Sequence, residues 1–177
     1  MNDSTARIWP LDKRRMKRHI LDLCSIDRKS FRDDAWVHEN FERVLPDKFR
    51  LSRTALYERK PVGYLIASRY GNRCAHVHRF VVISLFRRRG IGTGLIRSFE
   101  NACREKGLDE ITLESLKKRH DANRFYELMG FVRMSEEELP SYLRLKGKTK
   151  VKQRYSGLYP SGEVVVYNKR LIPQRRR

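Results

Sequence analysis

Apolar positions along this chain change period several times, and each change marks an element. A short run at residues 7–11 reads as a strand. Within residues 12–29, Met16, Ile20, Leu21, Leu23, Cys24 and Ile26 recur at helical spacing, which predicts an amphipathic helix with a basic outer face. Residues 31–45 read as a second helix, with Trp36, Val37, Phe41 and Val44 as its stripe and Pro46 closing it. Residues 49–58 and 62–70 read as two antiparallel strands around a turn at Arg59, Lys60 and Pro61. Gly71 and Asn72 make a hairpin turn into the main apolar run: Val77, Phe80, Val81, Val82, Ile83, Leu85 and Phe86. Its β-branched and aromatic content predicts a buried strand. Leu95, Ile96, Phe99, Ala102 and Cys103 return to helical spacing. Strands at 109–115, 131–134 and 163–171 and a helix at 119–129 complete the pattern. A meander that later becomes helix-connected implies a mixed α/β sheet.

Between the main strand and its helix stand Arg87, Arg88, Arg89, Gly90, Ile91, Gly92, Thr93 and Gly94. The first amides of a helix lack intrahelical partners, and the helix dipole makes that end positive. Glycines let a ligand approach the backbone, and arginines add forked donors. The arrangement suits a diphosphate on the amides of residues 88–93. A P-loop is excluded, because no Gly-Lys-Ser/Thr follows. A dinucleotide fold needs different glycine spacing and more chain than remains. The plain alternative is a Gly-rich turn beside solvated arginines.

A later stretch, residues 122–131, reads ANRFYELMGF. Together the two motifs resemble the GNAT superfamily of acetyl-CoA-dependent N-acetyltransferases. Its phosphate loop, Arg/Gln-x-x-Gly-x-Gly/Ala, is matched by Arg87, Gly90 and Gly92. Its Ala-x-x-x-Tyr-Glu-x-x-Gly-Phe signature is matched by Ala122, Tyr126, Glu127, Gly130 and Phe131. The resemblance covers about residues 5–133. It implies a single GNAT-like α/β domain over residues 1–177, with a mixed, mostly antiparallel sheet flanked by helices. A basic C-terminal insertion would precede the last strand. It further implies that acetyl-CoA lies in a cleft where two strands splay. Backbone groups of Phe80 and Val82 would hold the pantetheine arm, with the diphosphate on residues 87–94. Tyr126 would protonate the leaving coenzyme A. The family's helices near residues 12–45 cover the acceptor, so Phe31, Trp36 and Phe41 line that site or belong to the core. An Asn common seven residues before the Tyr is here Arg119; Asn123 lies nearby.

His76 and His78 are two apart on one strand face, and either imidazole can take a proton from an ammonium. Their pattern resembles the arylalkylamine N-acetyltransferase branch, whose paired histidines assist deprotonation. Satisfied structural histidines are the alternative. Glu114 is a further base candidate. No Cys/His cluster supplies a metal site.

Charge widens the picture. Of 177 residues 40 are Lys or Arg against 21 Asp or Glu, a net +19. Coenzyme A cannot account for this, so an acidic partner, tRNA or other nucleic acid, is one reading and a basic soluble surface the other. Residues 140–177 hold eleven Lys or Arg against Glu163, with Tyr142, Tyr155 and Tyr159 interleaved. Residues 144–152 alternate as a cationic ribbon. Free thiols at Cys24, Cys74 and Cys103 and the lack of a signal peptide or membrane span suggest a cytoplasmic protein. Many members of the family it resembles dimerise, so the resemblance implies a monomer or homodimer. The acceptor is left open among a protein amino group, an aminoacyl-tRNA and a small arylalkylamine. A catalytically idle CoA- or RNA-binding module is the reading from another class.

Overall fold

A computed structural model of the protein describes residues 5–135, 137–139, 142 and 164–172. Its strands are β1 (Arg7–Pro10), β2 (Arg53–Tyr57), β3 (Lys60–Tyr70), β4 (Cys74–Val82), β5 (Glu110–Leu116), β6 (Val132–Arg133) and β7 (Val164–Arg170). They form a seven-stranded sheet in the order β1-β2-β3-β4-β5-β7-β6. The helices are α1 (Lys13–Phe31), α2 (His38–Glu42), α3 (Lys48–Leu51), α4 (Ile91–Glu105) and α5 (His120–Leu128). This is the α/β class that the pattern predicts. The chain divides into two compact units, Met1–Arg69 with Val77–Lys106 and Tyr70–His76 with Gly107–Arg177.

In the first unit, Asp12 caps α1 by accepting the Arg15 amide at 2.8 Å. Met16, Ile20, Leu23 and Ile26 then fall on one helix face and pack with Phe41, Tyr64, Ile66 and Val81. Alternation along β4 sends Val81 to that cluster and its neighbours Phe80 and Val82 to a second one, built on Ala55, Val62, Ile91 and Leu95. A Cβ at Gly63 of β3 would lie 2.9 Å from the Val81 carbonyl oxygen, so this close approach of backbones requires glycine.

Several boundaries differ from the pattern. The helix expected at 31–45 is instead the end of α1, a 3-10 turn at Arg32–Asp34 and the five-residue α2. Buried Asp27 takes the Trp36 amide at 2.5 Å, and Asn40 Oδ1 takes the Val37 amide at 2.9 Å, which diverts the backbone. Val37 and Val44, expected in the stripe, are exposed. The strand expected from 49 begins at Arg53, because Asp47 adopts φ 53° and starts α3. The β2–β3 turn uses Glu58 and Arg59, both at positive φ, so Pro61 falls inside β3, where the register shifts. The main strand stops at Val82. A 3-10 turn at Ser84–Phe86 follows and leaves Leu85 exposed.

In the second unit β5 pairs antiparallel with β7 from Glu110↔Arg170 to Leu116↔Val164, and β6 pairs antiparallel with β7. After α5, Gly130 turns the chain at φ 80°. Lys169 Nζ donates to the Met129 carbonyl at 2.5 Å, capping that helix end. So one of the eleven C-terminal cations serves the fold.

Candidate functional site

In the first unit the chain leaves β4, makes its 3-10 turn and enters α4 through residues 87–90. Gly90 is the N-cap of α4 at φ 77°, and no side chain caps this end. Gly92 and Gly94 lie in the helix's first turn rather than in the loop before it, and Gly94 N–H donates to Gly90 O at 2.9 Å. A Cβ on Gly90 would meet nothing within 4 Å, so φ, not crowding, demands glycine there. Ile91 is buried and anchors the helix start, while Thr93 is half-buried. Arg87, Arg88 and Arg89 are exposed, and no acid stands in the first turn. The first-turn amides and three cations therefore offer an anion charge on one side and hydrogen bonds on the other.

The strand before this turn carries the other proposed donor contacts. Phe80 and Val82 are half-buried on the α4 side of β4. Arg87 Nε turns back to donate to the Val82 carbonyl at 2.9 Å, leaving that oxygen a second lone pair. His78, on the same strand face, is half-buried, with Nε2 2.7 Å from Ser68 Oγ.

The second unit holds the remaining candidates. His76 is buried, its Nδ1 3.0 Å from Thr112 Oγ1 and its ring 5.1 Å from that of Tyr70. Both histidines thus have hydroxyl partners. Glu114, two residues beyond Thr112 on β5, is half-buried and accepts the Tyr142 phenol at 2.7 Å. Tyr126 is buried on α5, its ring 5.7 Å from Phe125, 6.0 Å from Phe131 and 5.8 Å from Tyr167. Burial pushes its phenol pKa well above the usual value, against a small opposing pull from Arg119. Asn123 is buried and donates to the carbonyls of Leu116 and Lys117, both at 3.1 Å. Its Oδ1 has no partner among the described residues, so the amide N–H of a pantetheine arm suits this acceptor.

Sequence reasoning missed a buried ionic network in the first unit. Arg79 of β4 pairs with Asp27 of α1 at 3.2 Å and donates to Asp34 at 2.9 Å. Tyr64 also donates to Asp27. The guanidinium lies 3.8 Å from the Phe31 ring centroid and 5.1 Å from that of Trp36. Phe41 is core, and Phe31 and Trp36 pack against that core. A lone arginine inside an apolar strand run is the signal that could have pointed to a buried acid.

The charge is also placed. Along α1, Lys13, Arg14, Lys17, Arg18, Arg28 and Lys29 are exposed, with Asp22 the exposed acid beside them. The expected ribbon at 144–152 and the cations at 175–177 lie outside the described residues. Among the described residues no cluster of three His, Cys, Asp or Glu could hold a metal, and no helix is long and apolar enough to cross a membrane.

A search of curated proteins gives no match. Solved structures do resemble the chain. Ard1 from Thermoplasma volcanium superposes with TM-score 0.72 at 20% identity, over 95% of this chain and 99% of its own. The ribosomal-protein-S18-alanine N-acetyltransferase from Escherichia coli gives 0.68 at 14%, over 97% and 98%. Arabidopsis thaliana Naa50, in complex with the bisubstrate analogue CoA-Ac-MVNAL, gives 0.66 at 15%, over 93% and 98%. At these identities the likeness speaks for the fold. The profile of the acetyltransferase (GNAT) family matches residues 18–131, from within α1 through both motifs to Phe131. The chain therefore belongs to the acetyltransferase (GNAT) family, and it is an N-acetyltransferase that uses acetyl-CoA as donor.

Proposed function

We propose that the acceptor is an amino group carried by a macromolecule, a protein amino group or the aminoacyl end of a charged tRNA. The observation that carries this is the cationic face of α1, six exposed Lys or Arg beside one acid. Such a surface repels polyamines and attracts acidic macromolecules. The near full-length likeness to an S18-alanine N-acetyltransferase and to Naa50 with a peptide-bearing analogue supports the protein arm.

The amides of residues 88–93 and the three arginines hold the diphosphate. Phe80, Val82 and Asn123 present backbone and amide groups to the pantetheine arm. Glu114 takes one proton from the acceptor ammonium. A carboxylate that accepts a phenol hydrogen bond is favoured in its ionised, proton-accepting form. The freed amine attacks the thioester carbon, and the C–S bond breaks as the amide forms. Tyr126 hydrogen-bonds to the leaving sulfur through its O–H and keeps that proton. The sulfur takes the second proton, which the amide nitrogen loses, and Glu114 passes the first to solvent, so one proton reaches solvent for each free coenzyme A thiol.

The test is coenzyme A thiol release with N-terminal peptides, lysine peptides, charged tRNA, an arylalkylamine and spermidine as acceptors. Peptide or charged tRNA is expected to give the highest kcat/KM. Fastest turnover with the arylalkylamine or spermidine overturns the macromolecular acceptor. Binding of acetyl-CoA without release for any acceptor favours the idle CoA-binding module.

A further inference from the structure

Tyr142 comes from the C-terminal region that composition marks as basic, yet it is 4% exposed and its phenol donates to Glu114 Oε1 at 2.7 Å. That distance is in the range of a charge-assisted O–H···O⁻ bond. Its amide donates to the Glu138 carbonyl at 3.3 Å, so backbone and side chain are both tied. Its ring lies 6.2 Å from the ring of His76, which Thr112 of β5 holds by its Nδ1. Thr112 and Glu114 share one face of β5. Across from that face β7 presents Asn168, Val166 and Val164 in register, none of them titratable. Among the described residues, Tyr142 is the titratable group bonded to Glu114, and His76 lies beside the Tyr142 ring.

We propose that Tyr142 is the positioning residue of the reaction: it orients the Glu114 carboxylate and keeps it ready to take the acceptor's proton. The inference rests on Glu114 being the base. A donor on the ionised oxygen favours the ionised form. The same bond removes the rotation that would otherwise turn the carboxylate away from an incoming ammonium. Tyr142 itself exchanges no proton and touches no reacting atom. The link also gives the C-terminal region a part in the chemistry distinct from its charge.

The experiment is the pH profile of kcat/KM for wild type, Tyr142→Phe and Glu114→Gln, with the best acceptor found above. In wild type the acid limb reports the base in the free enzyme. Loss of the phenol donor raises the carboxyl pKa, so in Tyr142→Phe the limb moves up by about one pH unit. The plateau rate falls only a few-fold. A difluorotyrosine at position 142 is a stronger donor that preserves packing, and it moves the limb down. Glu114→Gln loses the limb, with a fall of about 10²-fold or more. If Glu114→Gln loses the limb while neither change at Tyr142 moves it, the positioning role is wrong and the base stands. If Glu114→Gln keeps the wild-type limb, the base assignment is wrong and the role of Tyr142 falls with it.

Discussion

Tyr126 keeps its proton at any working pH, because burial among Phe125, Phe131 and Tyr167 disfavours the phenolate. An ordinary thiol has a pKa of about 8.5, so in the proposed reaction a phenol raised above its own value would serve the leaving sulfur as a fixed hydrogen-bond donor. Its contribution is then that of one preorganised donor to a developing anion. Tyr126→Phe is expected to lower kcat by about 10²–10³-fold with acetyl-CoA affinity nearly intact. An unchanged single-turnover rate removes the hydroxyl from the mechanism. Arg79 illustrates the opposite economy. Its two acids differ in exposure: Asp27 is fully buried, whereas the Asp34 side chain is 84% exposed. Removing a buried partner strands a buried charge and costs about 3–5 kcal/mol, while an exposed one contributes about 1 kcal/mol or less. Asp27→Asn should therefore lower the urea midpoint several times more than Asp34→Asn. Equal shifts would mean that the network is held from its exposed end.

The start of α4 shows fold and ligand making opposite demands. The first turn has no acid, although the helix dipole favours one there by about 0.3–1 kcal/mol. An anionic ligand on the same amides would account for this. Gly92→Asp should raise or hold the thermal midpoint while abolishing acetyl-CoA binding by calorimetry. Retained affinity in the folded variant would unseat the loop as the diphosphate site. This element was legible in the sequence, since a strand, three arginines, spaced glycines and a helical stripe are local signals. So were the strand at β7 and the tyrosine motif of α5. Residues 31–45 were not legible, for a physical reason. Their apolar spacing fits a helix, but buried Asp27, nine residues before Trp36 and outside the stretch, claims the Trp36 amide that a helix would use. The bond between Tyr142 and Glu114 joins residues 28 apart and leaves no periodic trace. Each of the three base candidates that spacing allowed has a partner, Ser68 on His78, Thr112 on His76 and Tyr142 on Glu114, and only coordinates reveal such partners.

At the scale of the whole molecule, the net +19 is spread over more than one segment. The α1 face runs for about 28 Å at 1.5 Å per residue, comparable to the reach of several phosphates. The residues at 146, 148, 150 and 152 are a second cationic set in the sequence. If a nucleic acid is the acidic partner, affinity should fall steeply with salt. Changing Lys13, Arg14, Lys17 and Arg18 together to Ser should flatten the log–log salt slope by up to about 3–4, at roughly 0.9 per phosphate contact. Filter binding with tRNA and duplex DNA at two salt concentrations measures this beside the corresponding Ser variant of Lys146, Lys148, Lys150 and Lys152. An unchanged slope in the α1 variant assigns that helix to a solvated surface.

Lys48 gives the molecule a chemical consequence of another kind. It is 1% exposed, and its Nζ donates to the carbonyls of Phe41, Arg43 and Asn40 at 2.5, 2.7 and 3.4 Å. Burial, aided by Arg43, pulls its pKa down to about 8. An unfolded lysine still binds its proton between about pH 8 and 10.4, where this one has let go, so stability should rise with pH across that window and not in Lys48→Met. By acidity alone, Lys48 would be acetylated by the enzyme's own donor in free solution more readily than a lysine of ordinary pKa. Its enclosure by carbonyls prevents that while the fold holds. Mass spectrometry after prolonged incubation with acetyl-CoA should find Lys13 and Lys17 modified early and Lys48 only after denaturation, making its acetylation a chemical record of unfolding.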